Sequence, residues 1–320
     1  MELYFGYTIP RQSNQGRIVT VGMFDGVHLG HRHLLQSLLA KCTCSGQKSL
    51  VVTFVRHPLH VISPSKPDLR YITTLSERLL QLEEAGVDEC LLLDFDSRLM
   101  SMSAREFMRL LRDNYNVKSI VLGFNNKFGN NPALTIDDYK KIASEENMEL
   151  SGASQYEIDN KSYTVCSSAI RRLIADDGDV AKAAEMLGRP YALSGLVVHG
   201  KAIGRTIGFP TANVLPDNPG KILPAKGVYA CQAILADKKG MILPAMVNIG
   251  DCPTFDDGRK HSVEAHIIGL DSDIYDMPLT LRFLQRVRAE RRFASLQELS
   301  EQLSTDRKIT LEINSNTYLS

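Results

Sequence analysis

Two kinds of hydrophobic patterning divide the chain. In the first half, short apolar and largely β-branched runs at 17–21, 49–54, 90–95 and 118–122 predict buried strands, because a strand covered on both faces is near-continuously apolar. Between them the period lengthens to that of helices. Residues 31–41 begin one, and Thr74 with Glu77 and Ser103 with Glu106 have the spacing of capping boxes that open two more. Strand and helix in alternation predict an α/β fold with a parallel sheet and right-handed crossovers. After about residue 190, glycine and proline punctuate short strands at 196–198, 227–235, 242–247, 262–268 and 279–283, the pattern of an antiparallel sandwich or barrel. A last helix opens at Ser295 and Glu298. The helical run 180–187, stopped by Gly188-Arg189-Pro190, marks the junction, so the expected domains are 1–187 and 188–320.

Composition narrows the partners. A chain of 320 residues holds about two domains, each with its own core. Lys plus Arg and Asp plus Glu both number 37, and neither half is polarised, which argues against a nucleic-acid partner because displacing counterions from phosphates takes an excess of cations. No eighteen apolar residues occur together and the first residues lack a basic segment followed by an apolar run, so neither membrane nor export is expected. The six cysteines are scattered, and Cys42-x-Cys44 is too close for the usual zinc or redox spacing, so they read as reduced thiols of a cytoplasmic protein. Oligomeric state is not legible at this level.

The most informative stretch of the first half is 21–31, V-G-M-F-D-G-V-H-L-G-H, which follows a predicted strand and opens a predicted helix. In an open α/β sheet the ligand lies beyond the carboxyl ends of the strands, where a helix N-terminus offers free N–H donors to a phosphate. Gly22, Gly26 and Gly30 let the backbone approach such an anion, and His28 and His31 can place two imidazoles against charge that develops in a transition state. An isolated H-x-x-H is more often two surface histidines; the glycine pattern after a strand favours the phosphate site.

The string G-x-F-D-G-x-H-x-G-H resembles the H-x-G-H nucleotidylyltransferases, in the form found in bacterial bifunctional riboflavin kinase/FMN adenylyltransferases. The resemblance implies a Rossmann-like first domain in which a phosphate of FMN attacks the α-phosphate of ATP, with Mg²⁺, to give FAD and pyrophosphate. His28 and His31 would be catalytic, and Gly22, Phe24, Asp25, Gly26, Gly30, Asn125, Ser168 and Arg171 would bind nucleotide. His57, Pro58 and Phe128 would bind flavin. Several positions depart from the family pattern: Val55 and Arg56 in T-F-x-x-H-P, Asn125 for an acid in G-x-D-F-x-F-G, Ala169 for an arginine in S-S-T-R-I-R, and Asn130-Asn131-Pro132-Ala133 in place of a basic loop. An Asp-to-Asn change removes charge, and a lost arginine removes a bidentate phosphate clamp. Either a variant arrangement still makes FAD, or this half binds nucleotide or flavin as a regulatory module. Cys166 reads as a small residue in a serine slot, since direct adenylyl transfer needs no covalent intermediate.

In the second half, residues 195–213 are dense in glycine, with Thr211 and Asn213 supplying neutral oxygens of the kind Mg²⁺ favours. No Walker spacing occurs, and on composition alone a phosphate loop and a plain hairpin are equally good readings. The string G-x-V-x-x-G-x-x-x-G-R-x-x-G-F-P-T-A-N, however, resembles riboflavin kinase, which implies an all-β barrel with a C-terminal helix. By that resemblance Gly200, Gly204, Gly208, Pro210 and Thr211 would bind nucleotide and Thr211 with Asn213 would hold Mg²⁺. Glu264 would be the base that takes the proton of the riboflavin 5′-hydroxyl as it attacks the γ-phosphate of ATP, and Arg288 would bind flavin. A lone strand glutamate is more often a solvated side chain; its setting in V-E-A-H favours the base. His199, His261 and His266 lack ligand partners at zinc spacing and read as ordinary strand histidines. With zero net charge, attraction for ATP and FMN has to be local.

Overall fold

The protein is described by a computed structural model that covers residues 1–7, 15–57, 70–124, 126–156, 164–200, 204, 208–235, 240–251 and 261–317. Two compact units emerge, Met1–Ser167 and Ser168–Ser320.

The first unit is built on six parallel strands: β1 (Glu2–Phe5), β2 (Arg17–Val21), β3 (Lys48–Phe54), β4 (Glu89–Leu93), β5 (Val117–Leu122) and β6 (Glu149–Gly152), in the order β1-β4-β3-β2-β5-β6. Helices α1 (Leu29–Ser45), α2 (Leu75–Glu84), α3 (Ser97–Ser101), α4 (Ala104–Tyr115) and α5 (Ile136–Glu145) connect them. Alternation along each strand builds two cores. Val19, Leu50, Val52 and Leu91 meet Phe107, Leu111 and Tyr139 on one face, and Ile18, Val51, Cys90 and Leu92 meet Leu34, Leu38 and Leu82 on the other. The capping boxes at Thr74/Glu77 and Ser103/Glu106 are reciprocal in the structure, each side chain accepting the other residue's backbone N–H. A third box, Thr135 with Asp138, opens α5, which the hydrophobic pattern does not announce.

The second unit begins with α6 (Ser167–Arg172), which starts one residue before it, then a π-helical turn (Leu173–Asp177) and α7 (Val180–Leu187), closed by Gly188 in the left-handed conformation. Strands β7 (Tyr191–Val198), β8 (Ala212–Pro216), β9 (Gly227–Leu235), β10 (Met241–Asp251), β11 (His261–Ile267) and β12 (Pro278–Arg288) close an antiparallel barrel in the order β10-β11-β8-β7-β12-β9. Strand β9 is buried along nearly its whole length because α8 (Leu296–Thr317) packs on it. That helix docks by a polar stripe. Asp306, Thr310 and Asn314, one turn apart, are its buried residues; Asp306 pairs with Arg288 at 2.9 Å and takes a bond from Gln302, and Asn314 donates to the Cys231 carbonyl.

Two measurements test these assignments. The Arg109, Arg105 and Arg112 guanidiniums hold the Glu146 carboxyl down to about 2. A carboxyl lowered in the folded state stabilises above its unfolded value of about 4.3 and loses that contribution as pH falls toward 2. Glu146→Gln is expected to flatten the pH dependence of stability across that window and leave it unchanged above pH 6, as read by urea unfolding. Asp306→Ala leaves the Arg288 cation without its buried partner and is expected to cost about 3 to 5 kcal/mol, measured by denaturant unfolding of the barrel transition.

Candidate active sites

The order of strands in the parallel sheet locates the first site. The chain runs outward through β2, β3 and β4 and then returns to place β5 on the other side of β2, so the reversal lies between the carboxyl ends of β2 and β5, where ligands of such sheets sit. Residues 22–28 leave β2 at this point in a strained loop. Phe24 and Val27 adopt positive φ of 52° and 35°, and both side chains are completely buried. A β-branched residue in that region persists only where its surroundings impose it.

His28 is the N-cap of α1, and its Nδ1 accepts the backbone N–H of His31 at 3.2 Å. That bond fixes the tautomer: with Nδ1 an acceptor, Nε2 carries the proton and is the donor. The His28 and His31 rings stack with centroids 3.6 Å apart, and Phe24 packs against His31 at 5.1 Å. Gly30 lies close under the His28 ring, where a Cβ would make a tight contact at 3.3 Å. Gly22 lies between Phe24 and Asn126, whose Nδ2 donates to the Val21 carbonyl. The Asp25 side chain is turned inward, accepting the Ile72 and Thr73 N–H groups, and Ser167 donates to the Asp25 carbonyl. Phe24 and Asp25 can therefore reach a nucleotide only through their backbone, while His28 and His31 stand at the opening of α1, just beyond the carboxyl end of β2.

The flavin-assigned residues are distributed differently. Phe128 is half-buried against Phe107 and Tyr139, with centroids at 5.3 and 4.8 Å. The His57 backbone N–H donates to the Tyr71 hydroxyl at 3.1 Å. Pro58 and Asn125 lie outside the described residues. Arg56, at a position that departs from the family pattern, forms a surface pair with Asp94. Ser168 and Arg171 lie on α6 in the second unit, Ser168 exposed and Arg171 half-buried.

The second site is on the barrel. On β11 the inward positions are Val263, Ala265 and Ile267, so Glu264 and His266 point outward. Glu264 stands in register with Asn213 on β8 and with Asn248 on β10, which gathers a carboxylate and two carboxamides on one face. Burial pushes the Glu264 carboxyl above its ordinary value, partly offset by a hydrogen bond from Ser262. His266 Nδ1 lies 2.8 Å from the Pro210 carbonyl and so donates to it, anchoring the segment that carries Thr211. Burial lowers the basicity of that imidazole.

Close backbone approach completes the arrangement. A Cβ at Gly200 would fall 1.9 Å from Asn213 Nδ2, so only glycine leaves the carboxamide its place. Gly204 accepts the Phe209 N–H, Gly208 turns the chain at φ 80°, and Pro210 and Thr211 follow. Beside Thr211 a cavity of about 80 Å³ is walled by Val197, Ala265, Ile267, Ile274 and Tyr275. Arg288 is engaged by Asp306 and the Ala289 carbonyl. His199 stacks on Tyr275 at 3.8 Å. Among the described residues no group of three His, Cys, Asp or Glu side chains could hold a metal; Thr211 and Asn213 carry neutral oxygens of the kind a hard cation takes. Arg78 lies outside every sequence motif, and Asn126 and Asn248, though inside segments that resemble the family's, carried no assigned role; what each does depends on a residue far along the chain.

Comparisons with known proteins agree with this division. Residues 10–169 match the FAD synthetase family and residues 187–314 the riboflavin kinase family. The bifunctional riboflavin kinase/FMN adenylyltransferase of Escherichia coli K12 is 35% identical over 94% of this chain and 93% of its own, and that of Bacillus subtilis 32% identical over 93% of each. A crystal structure described as a macrolide-efflux protein from Streptococcus pneumoniae matches at a TM-score of 0.87 and 31% identity, covering 97% of this chain and 99% of that one. Among the described residues no helix is long and apolar enough to cross a membrane. With both halves matched in one order over nearly the full length, the chain belongs to the bifunctional riboflavin kinase/FMN adenylyltransferase family.

Proposed function

We propose that the barrel phosphorylates riboflavin to FMN with ATP and that the α/β unit adenylylates FMN to FAD, releasing pyrophosphate. The observation that carries the first reaction is the register that sets Glu264 beside Asn213. A carboxylate raised by burial is a better proton acceptor near neutrality, and phosphoryl transfer through a loose transition state asks for little beyond that, positioning and charge neutralisation. Thr211 and Asn213 would hold Mg²⁺ on the ATP phosphates, with Gly200, Gly204, Gly208 and Pro210 shaping the phosphate loop and the apolar pocket beside Thr211 taking the base. The ion would neutralise charge on the transferring phosphoryl group. Glu264 accepts the 5′-hydroxyl proton, and Arg288, held by Asp306, is the flavin-side cation.

In the α/β unit, His28 and His31 donate to the α-phosphate as its charge builds, with no covalent enzyme intermediate. Gly22, Gly26 and Gly30 admit the nucleotide backbone-on, and Ser168 and Arg171 are assigned to its phosphates by the family motif. His57, Pro58 and Phe128 keep their flavin assignment on the same ground. On this reading the functional division is 1–187 and 188–320, the substrates are ATP, riboflavin and FMN, and the protein works in the cytoplasm. Because relatives match both halves, a first unit that only senses nucleotide or flavin is not favoured.

An assay of full-length protein with riboflavin, ATP and Mg²⁺, separating FMN from FAD, is expected to yield both; FMN without FAD sinks the second reaction. His28→Ala and His31→Ala are each expected to abolish FAD formation and spare FMN formation, and an effect on the kinase alone favours the sensor. Glu264→Gln is expected to slow the kinase by about two or more powers of ten. The raised Glu264 carboxyl also puts the acid limb of the kinase rate above the ordinary value of about 4.3, the rate falling as pH drops through it. That limb disappears in Glu264→Gln; an unchanged profile removes the role.

A further inference from the structure

Among the described residues of the first unit, Arg78 is a buried cation whose guanidinium is held by carbonyls and not by a carboxylate. It lies on α2, 2% exposed, and its guanidinium reaches past the helix to the carboxyl ends of two strands: Nη1 donates to the Met23 carbonyl at 2.8 Å and Nη2 to the Phe54 carbonyl at 2.6 Å. Its Nε finds no acceptor. Burial depresses its basicity, and Asp25 is the neighbouring charge that opposes this. A leucine or methionine would close the contact between α2 and the sheet without desolvating a cation, so packing alone does not account for an arginine here.

What the guanidinium holds is the loop that carries the histidines. Met23 opens the segment in which Phe24 and Val27 are forced to positive φ. The same stretch of chain grips that loop at two more points: the Asp25 carboxylate accepts from Ile72 and Thr73, and Gly26 donates to Thr73 Oγ1 at 2.9 Å. On the sheet side Thr53 Oγ1 also donates to the Met23 carbonyl. Residues 72–78 thus clamp the loop just before His28 caps α1, and Arg78 links that clamp to β3. We propose that Arg78 is a positioning residue for adenylyl transfer: by bridging Met23 and Phe54 it fixes the strained loop that presents His28 and His31. The inference rests on the adenylyltransferase reading given above.

The test uses full-length protein, whose kinase reports folding of the rest of the chain, with Arg78→Met, Arg78→Lys and His28→Ala assayed side by side. Misplacement of reacting groups by about 1 Å costs on the order of a hundredfold, so Arg78→Met is expected to lower kcat for FAD formation by about ten- to a hundredfold. KM for FMN should change by less than about threefold and the kinase rate by less than about twofold. Lysine keeps the charge and one of the two bonds, so Arg78→Lys should recover part of the lost kcat. Unchanged kcat in Arg78→Met, a loss confined to KM, or a folded lysine variant no better than methionine each overturns the proposal. If the methionine variant does not fold, lysine decides: lowered kcat with KM held supports it and wild-type kcat overturns it. His28→Ala that still forms FAD overturns the site assignment and the proposal with it, whereas loss in His28→Ala but not in Arg78→Met overturns the proposal alone.

Discussion

Burial of both faces of the parallel sheet is the constraint on which the first unit depends. Once Val19, Leu50 and Leu91 are covered on one side and Ile18, Val51 and Leu92 on the other, polar chemistry has nowhere to go except the strand ends. The reversal of strand order between β2 and β5 opens the crevice there, and the loop that leaves β2 is bent into conformations that Phe24 and Val27 would not choose. Burying those two side chains, and hydrogen-bonding Asp25 inside, makes the strain local and rigid. A phosphate site built from backbone N–H groups needs that rigidity, because amide dipoles stabilise developing charge only if they are already aimed.

The barrel solves the same problem by the opposite route. A closed antiparallel sheet has no open edge and no reversal, and its interior is filled with Val197, Val247, Ala265 and Leu281. Its polar groups therefore stand on the outer face, where cross-strand register alone brings Asn213, Glu264 and Asn248 together. Register is a coarse device, and the close approach of Gly200 to Asn213 supplies the finer adjustment. One unit positions its groups by strain at a strand end and the other by pairing across strands.

How much of this could be read from the chain depended on whether the signal was local. The strands at 17–21 and 227–235, and the helices opened by Thr74 and Ser103, follow from periodicity and capping chemistry within a few residues. Edge strands β1 and β6 escaped because four half-exposed residues carry too little pattern. Helix α8 was foreseen, but its opening differs: Ser295 caps Glu298, while the Glu298 carboxylate turns to Ala294. Thr211 and Glu264 were legible only through the family resemblance, whereas His28 and His31 announced themselves by the glycine pattern around them. Arg78, Thr73 and Asn126 did not, since what they do depends on a carbonyl or an N–H tens of residues away. Arg288, assigned to flavin by the resemblance, is tied to a fully buried aspartate eighteen residues away, which no local pattern announces.

That aspartate gives the last helix an address on the barrel. An apolar stripe tolerates sliding, because one leucine replaces another at little cost. Asp306, Thr310 and Asn314 do not: a slip by one turn, about 5.4 Å, would carry the carboxylate away from Arg288 and Asn314 away from the Cys231 carbonyl. The helix can therefore dock in one register or leave altogether, and whatever shape it lends the barrel is all-or-none.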